Sequence, residues 1–505
     1  MKGKVYLVGA GPGDPGLLTL KGCELIQKAD VILYDALVSP RLLRFARPKT
    51  KCIFVGKRGG QPSVAQDEIE KTLIQKAREG KIVVRLKGGD PFIFGRGGEE
   101  ALLLAQAGID WEVVPGVTSA IAAPAYAGIP LTQREFTSTV AFITGHEDLE
   151  RKASRVDWTK ISTGAGTLVF LMGISNLTSI IEELMRHGRS ADTPCAVVMW
   201  GTLPKQKTVT GRLSDIVQKV EDAKLSSPSV FVVGEVVRLR EQLNWFEKGP
   251  LFGKKVLVTR AREQASVLLE ALEKLGADAV EFPTIQVVPP EDWRLVDAAI
   301  QKISKFHWII FTSVNGVKIF LERLRTHDKD VRDLKGLKIA AIGEITRREL
   351  EDRMLHVDLS PSEFVSEALL EEFKKLEELK GQKFLLPRAE QARSILSDGL
   401  KALGAEVTEV ALYRTLPDPL SENRTHVNEI FDHGLDWVTF TSSSTVKNFV
   451  TGLGNLFEKV KGTFKVASIG PITSGTIREA GLVVDLEAKR HTIDGLVEEM
   501  IRYYA

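Results

Sequence analysis

Three blocks of the carboxyl-terminal half occur twice, in the same order and at nearly one spacing, and no other feature restricts the fold as strongly. Gly253–Arg260 (GKKVLVTR) returns as Gly381–Arg388 (GQKFLLPR), Trp308–Ser313 (WIIFTS) as Trp437–Ser442 (WVTFTS), and Ile339–Thr346 (IAAIGEIT) as Val466–Thr473 (VASIGPIT), at separations of 128, 129 and 127 residues. A period that long describes two domain-sized copies rather than a solenoid of short repeats. Each block is a short apolar run that ends in hydroxyl, small or charged residues before a helical pattern, which is the mark of α/β structure. Residues 253–505 are therefore expected to form two similar α/β lobes with a cleft between them. Ahead of them, Phe246–Lys255 (FEKGPLFGKK) places Gly and Pro between two strand patterns and reads as a linker.

The amino-terminal half alternates without repeating. Apolar runs at Val5–Val8, Val31–Tyr34 and Ile82–Leu86 are separated by amphipathic stretches at Leu17–Ala29, Glu68–Arg78 and Glu99–Ala107. This predicts a largely parallel α/β sheet whose functional loops follow the carboxyl ends of strands. The pattern restarts after Glu147 with Leu168–Met172, Ala196–Trp200 and Val230–Val233, a second lobe. The expected organisation is one domain over 1–247, with lobes 1–133 and 134–247, a linker at 248–252, and a second domain over 253–505.

Composition narrows the class. With 43% hydrophobic and 27% charged residues, the chain of 505 residues is neither disordered nor disulfide-stapled. The 68 Lys and Arg against 66 Asp and Glu leave a net charge of +2, which argues against a surface given over to nucleic acid or anionic lipid, so an anionic ligand must be met locally. Cys23, Cys52 and Cys195 are too scattered for a disulfide framework or a CxxC metal site and point to a reducing cytoplasm. No signal peptide is read at the amino terminus. The most apolar later stretch, Ala120–Leu131, contains Pro124, Gly128 and Pro130 and is shorter than the roughly 20 residues of a bilayer span, so no membrane segment is expected.

Gly11, Gly13 and Gly16 in VGAGPGDPGLLTLKG follow a strand and formally satisfy GxGxxG, the pattern of an NAD-binding turn. Pro12 and Pro15 each remove a backbone donor, however, and Asp14 sets a negative charge where a phosphate would sit. A neutral or cationic adenosyl ligand suits this turn better. A second loop, RLKGGDPFIFGRGGEE from Arg85 to Glu100, spends five glycines between Gly88 and Gly98. That is costly unless backbone must approach a ligand or take up φ > 0, although two tight turns ahead of a helix at Glu99 would also account for it.

These blocks, together with LYD ending at Asp35, VGKR containing Lys57, VPGVTSA at Val114–Ala120, GIPLT at Gly128–Thr132, TGH at Thr144–His146 and LMG at Leu171–Gly173, resemble uroporphyrinogen-III C-methyltransferases over about residues 1–247. The resemblance implies a two-lobed tetrapyrrole methyltransferase fold and transfer of two methyl groups from S-adenosyl-L-methionine to uroporphyrinogen III, giving precorrin-2. It assigns Pro12, Gly88, Gly89, Asp90, Ile93, Thr118, Ser119, Met172 and Gly201 to the adenosylmethionine pocket, and makes Asp35 and Lys57 candidates for proton acceptor and donor. Arg96, Glu99 and Arg134 match positions that meet the macrocycle, whose carboxylates suit guanidinium forks, and Arg96 counts among the catalytic candidates. Relatives of this kind are commonly homodimers. The chain departs from the usual pattern at Gln133, where PLTHR is common, and at Ser119, where Ala is frequent, which bears on fine positioning of substrate.

The carboxyl-terminal half has no HExxH, GxSxG, P-loop or His/Cys cluster, so no metal is expected. Its strand ends carry hydroxyls instead: Thr312, Ser313, Thr346, Thr441 to Ser444 and Thr473. Helix capping alone would explain each of them, while with Arg260, Arg388 and helix amino termini they would also make a polyanion site. VLVTR at Val256, FPTI at Phe282, FTSVNGV at Phe311, LPRAEQAR at Leu386, YRT at Tyr413, FTSSSTV at Phe440 and SIGPITSGTIREAG at Ser468 resemble uroporphyrinogen-III synthase over 253–505. The resemblance implies dehydration and closure of hydroxymethylbilane, with Tyr413 as candidate acid and Ser443 and Thr473 as carboxylate-binding hydroxyls. It also implies a chain that begins in one lobe, crosses and returns, with lobes 253–287 plus 414–505, and 288–413. Two other readings stand beside the bifunctional one: an NAD-dependent oxidoreductase fused to a binding module, using Gly11, Gly13, Gly16 and an acid near Asp35, and a methyltransferase with a noncatalytic tetrapyrrole-binding carboxyl half.

Overall fold

The computed structural model describes residues 3–56, 66–145, 156–259, 262–282, 285–361, 366–376, 379–392, 394–417, 424–432 and 434–504. The chain divides into two compact units, Met1–Val256 with Glu270–Ala279 and Ile501–Ala505, and Leu257–Leu269 with Val280–Met500.

The first unit is built on two five-stranded sheets. Strands β1 (Lys4–Gly9), β2 (Val31–Tyr34), β3 (Lys51–Phe54), β4 (Ile82–Lys87) and β5 (Asp110–Val114) form a fully parallel sheet in the order β3-β2-β4-β1-β5. Its central strands read as near-continuous apolar runs because both faces are covered. Val5, Leu7, Leu33 and Val83 pack on Leu73, Ala101 and Leu104 of the helices Gln66–Arg78 and Gly97–Gln106, while Val8, Ile32, Val84 and Leu86 pack on Leu25 and Ile26 of the helix Leu20–Lys28. Each buried Val, Leu or Ile among them contributes about 1.5–3 kcal/mol. This layering sets the loops after β4, β1 and β5, three adjacent strands, side by side at the carboxyl edge of the sheet.

The second sheet, β6 (Val140–Thr144), β7 (Thr167–Leu171), β8 (Pro194–Met199), β9 (Lys207–Arg212) and β10 (Ser229–Val233), runs β6-β7-β10-β8-β9. Only β6 and β7 are parallel; the other pairs are antiparallel. The connection 200–206 is too short for a helical crossover, so β8 must turn back into β9 as a hairpin. Phe170 and Phe231 fill one face with Leu184 and Ile216, and Val169, Val198 and Val232 pack the other against Ala120, Ala123 and Val236.

From Lys255 onward the chain forms two further sheets. One comprises β11 (Lys255–Val258), β12 (Asp278–Glu281), β18 (Trp437–Phe440), β19 (Lys465–Ser468) and β20 (Leu486–Glu487), in the order β12-β11-β18-β19-β20. The other comprises β13 (Ile285–Val288), β14 (Trp308–Phe311), β15 (Lys338–Ala341), β16 (Lys383–Ala389) and β17 (Glu406–Pro417), in the order β13-β17-β16-β14-β15. The repeated blocks occupy equivalent strands, β11 with β16, β14 with β18, and β15 with β19. Phe282, Phe440, Phe449 and Phe464 centre one core, and in the other Trp308 stacks on Phe384 with Phe373 edge-on to both.

Candidate functional site

The glycine turns of the first unit hold one another. Gly89 N donates to Gly11 O at 2.7 Å and Gly11 N to Gly89 O at 3.2 Å, an isolated bridge between the loops after β1 and β4. Gly116, after β5, presses into both: a Cβ there would stand 2.3 Å from Gly89 O and 2.6 Å from Gly9 Cα. Backbone-on-backbone contact across three loops is what requires glycine here. Asp90 fastens the same loops, its Oδ2 accepting from Gly116 N at 2.9 Å and its Oδ1 from Phe92 N at 2.8 Å. Thr118 caps the adjoining helix Ser119–Tyr126 by accepting from Ala120 N at 3.3 Å, and Ser119 is its first residue.

The neighbouring backbone is strained. Of the eight described non-glycine residues with positive φ, five lie in these loops and their second-lobe counterparts: Phe94, Arg96, Met172, Trp200 and Thr202. Gly201 stands between two of them, where a Cβ would meet that of Ala123 at 2.4 Å. Such conformations cluster at ligand sites, and Ile93 and Met172 here offer exposed apolar side chains. The segment after Gly11 does not have the geometry of a dinucleotide turn. Pro15–Leu17 is a short 3-10 turn capped by Asp14, and the α-helix begins only at Leu20 under a Thr19 cap, so no helix amino terminus stands behind Gly16.

Beside these loops lies a buried charge cluster. Arg85 and Lys87 alternate on β4 and so point to one face. Lys87 Nζ donates to Glu100 Oε1 at 2.9 Å and Arg85 Nε to the same oxygen at 3.3 Å, all three residues being 4% exposed or less. Arg85 Nη1 stands 3.5 Å from Asp35 Oδ2, and Asp35 Oδ1 accepts from Leu37 N at 3.1 Å. Burial, reinforced by the Arg85 charge, pulls the Lys87 ammonium below its usual range, and Glu100 and Asp35 oppose that shift. Arg96 and Glu99 form an exposed pair at 2.8 Å, and Arg134 is exposed. Gln133 turns inward on its own loop, Oε1 accepting from Glu135 N at 2.7 Å and Phe136 N at 3.1 Å. Lys57 lies outside the described residues.

In the second unit Tyr413 is nearly buried, with Oη 3.0 Å from Ser313 Oγ; that oxygen also caps the helix Val314–Arg325 by accepting from Gly316 N. Burial pushes the Tyr413 phenol up, against the hydrogen bond from Ser313. On the other sheet, Ser442 caps the helix Ser443–Leu453, and Thr476 Oγ1 donates to Ser443 Oγ at 2.8 Å from the helix Pro471–Glu479, whose first turn buries Thr473. Arg388 is paired with Glu409, and Arg260 lies outside the described residues. Among the described residues no cluster of His, Cys, Asp and Glu could hold a metal ion, and no helix is long and apolar enough to cross a membrane.

Residues 4–217 match the family of tetrapyrrole (corrin/porphyrin) methylases, and residues 266–498 match uroporphyrinogen-III synthase HemD. The porphyrin biosynthesis protein HemD of Ruminiclostridium josui is 38% identical over 502 residues, 99% of this chain and 98% of that protein. The chain belongs to the tetrapyrrole methylase family fused to the HemD synthase family. Its methylase half is also similar to the S-adenosyl-L-methionine-dependent uroporphyrinogen III methyltransferase of Methanosarcina barkeri, 53% identical over 48% of this chain and 94% of that one. A solved structure of uroporphyrin-III C-methyl transferase from Thermus thermophilus, complexed with S-adenyl homocysteine, is similar at 41% identity and a TM-score of 0.40, covering 47% of this chain and 94% of that one.

Within the methylase half the structure gathers Gly88, Gly89, Asp90, Thr118 and Ser119 around one interlocked edge. Arg85, Lys87 and Glu100 are not among the residues that the resemblance assigns to the site, although they lie beside it. The signal was present in RLK: two cations at alternate positions of a central, otherwise apolar strand demand a buried anion. Within the synthase half, Ser443 meets Thr476 on one sheet, and Tyr413 meets Ser313 on the other.

Proposed function

We propose that the chain runs two successive reactions: closure of hydroxymethylbilane to uroporphyrinogen III in its synthase half, and transfer of two methyl groups from S-adenosyl-L-methionine to that product in its methylase half, giving precorrin-2. The observation that bears most weight is the interlock of Gly9, Gly89 and Gly116, which presents bare backbone from three strand ends at one edge. Asp14 and Asp90 stand in these turns, and the nearby Arg85 and Lys87 are engaged by Glu100, so the edge suits a cationic adenosyl donor and disfavours a pyrophosphate. Pro12, Gly88, Gly89, Asp90, Ile93, Thr118, Ser119, Met172 and Gly201 would hold that donor. When bound, it supplies an electrophilic methyl group.

The protein's own task is orientation and one proton. Asp35, at the end of β2 and steadied by Arg85, accepts the proton released as a pyrrole carbon is methylated, and Lys57 is the matching donor. Arg96, Glu99 and Arg134 are exposed where a multiply acidic macrocycle would approach. In the synthase half Tyr413, kept protonated by burial, donates to the departing hydroxyl, while Ser443 and Thr473 bind carboxylates. A homodimer formed through the methylase half, in the cytoplasm, belongs to the same reading.

Hydroxymethylbilane and adenosylmethionine added to the purified chain test it. Precorrin-2 is the expected product. Conversion only when uroporphyrinogen III is supplied would leave the methyltransferase alone, and no methylated product from either substrate would overturn the reading.

A further inference from the structure

We propose that Tyr126 and Glu247 are positioning residues that latch the donor-binding turn Gly11–Asp14 to the second lobe of the methylase half; this rests on the methyl transfer proposed above. The turn is made of Gly and Pro, with Gly11 at φ +76° and Gly13 at φ +150°, and has almost no side chain of its own to fix it. Its one residue with a polar side chain, Asp14, is held from two directions, by its carboxylate and by its backbone N–H. Tyr126 Oη donates to Asp14 Oδ2 at 2.6 Å, and Asp14 N donates to Thr202 Oγ1 at 3.1 Å.

Both routes lead to the same short segment. The Tyr126 ring packs edge-on against Trp245 and Phe246, at centroid distances of 5.0 and 4.8 Å, and Trp245 Nε1 donates to Ala125 O. Along the other route, Thr202 N donates to Gln206 Oε1 at 2.8 Å, and Gln206 Nε2 donates to Glu247 Oε1 at 2.8 Å. Thr208 Oγ1 donates to that oxygen as well, and Arg240 clamps the other one. Thus Trp245–Glu247 anchors two independent chains of contact that end on one aspartate in a glycine turn.

A turn free to wander must be ordered at the expense of binding energy when the donor arrives, whereas a latched turn is ordered beforehand. Burial together with Asp14 pushes the Tyr126 phenol up, so it remains a donor at any working pH. Loss of either latch is therefore felt as weaker donor binding rather than as slower chemistry.

The test uses the full chain with Tyr126→Phe and Glu247→Gln. Each variant is assayed with donor and uroporphyrinogen III varied separately, and titrated calorimetrically with S-adenosylhomocysteine. The expected result is a rise of roughly 5- to 20-fold in donor KM and in the S-adenosylhomocysteine Kd, with tetrapyrrole KM, methyl-transfer kcat and hydroxymethylbilane closure within about twofold. A structural role would instead lower Tm and the active fraction while leaving both KM values alone, and that result overturns the latch. If Tyr126→Phe does not fold, Glu247→Gln, of nearly unchanged shape and further from the turn, decides. Wild-type chain that neither binds S-adenosylhomocysteine nor methylates sinks the underlying methyl-transfer reading; wild type and variants that bind it equally sink only the latch.

Discussion

Replacing Glu100 by Gln removes the single anion shared by two buried cations. Glu100 is fully buried, Lys87 Nζ lies 2.9 Å from its Oε1, and Arg85 Nε lies 3.3 Å from the same atom. Gln keeps the shape and an acceptor oxygen, so the loss is charge. Breaking a buried pair by removing one partner costs about 3–5 kcal/mol. An independent ceiling comes from the cation that yields. Arginine keeps its charge and Arg85 retains Asp35, so Lys87 is the cation able to yield a proton. Holding a lysine neutral at pH 7 against a reference pKa of about 10.4 costs about 4.6 kcal/mol, and at pH 9 about 1.9 kcal/mol. The ammonium is already pulled down by burial, and without Glu100 it falls further. The unfolded chain then binds a proton that folded Lys87 has lost, so the stability of the variant rises with pH up to the unfolded lysine pKa. Glu100→Gln should accordingly destabilise the methylase half by about 3–4.6 kcal/mol at pH 7, and the deficit should shrink by up to about 2.7 kcal/mol by pH 9. Urea unfolding of the full chain, with the methylase half followed by pulse proteolysis and fragment mass, measures both. A deficit below about 1 kcal/mol at pH 7, or one that does not change with pH, would refute the reasoning.

Three further outcomes are expected. Gly116→Ala places a Cβ 2.3 Å from Gly89 O, so it should spread the three loops and weaken S-adenosylhomocysteine binding by more than about tenfold in calorimetry while circular dichroism stays native. Arg96→Ala removes an exposed guanidinium, and its kcat/KM for uroporphyrinogen III should fall by the equivalent of about 1.5–3 kcal/mol; an unchanged kcat/KM removes Arg96 from the site. Tyr413→Phe loses the hydroxyl 3.0 Å from Ser313, and closure of hydroxymethylbilane should slow at least about tenfold with methylation of supplied uroporphyrinogen III untouched; full synthase rate ends the acid role.

What could be read from the sequence follows from where the information is local. Val31–Tyr34 is a strand with the bounds its apolar run implies, and the runs Val5–Val8 and Ile82–Leu86 each extend by one residue per end or less, because a strand buried on both faces needs only a short apolar stretch and a turn on either side. Helix starts were less legible: the pattern from Leu17 becomes a helix only at Leu20, since Asp14 and Thr19 cap successive turns in a stretch where periodicity alone sees one element. The glycines announced an unusual loop but not its reason. Gly9, Gly89 and Gly116 are 80 and 27 residues apart, and only the parallel order β4-β1-β5 makes them neighbours. Asp14 shows the same limit, since its charge was plain and its partners, Tyr126 and Thr202, come from beyond the first sheet.

The repeat shows how similarity in sequence can be read correctly and still not describe a folding unit. Its first copy gives β11 to one sheet and β14 and β15 to the other, and its second copy gives β16 and then β18 and β19 in the reverse sense. Each sheet thus needs both copies. One copy by itself would leave β11 with β12 in one place and β14 with β15 in another, two strands apiece with Leu257 and Phe311 facing no completed core. The duplicated blocks are therefore conserved in role by position in the sheet rather than by position in the chain: β14 and β18 both end at a hydroxyl that caps the next helix, Ser313 in one and Ser442 in the other. Ser313 then meets Tyr413, whereas on the other sheet it is the residue after the cap, Ser443, that meets Thr476, so the two copies of one architecture set different hydroxyl pairs beside equivalent strands.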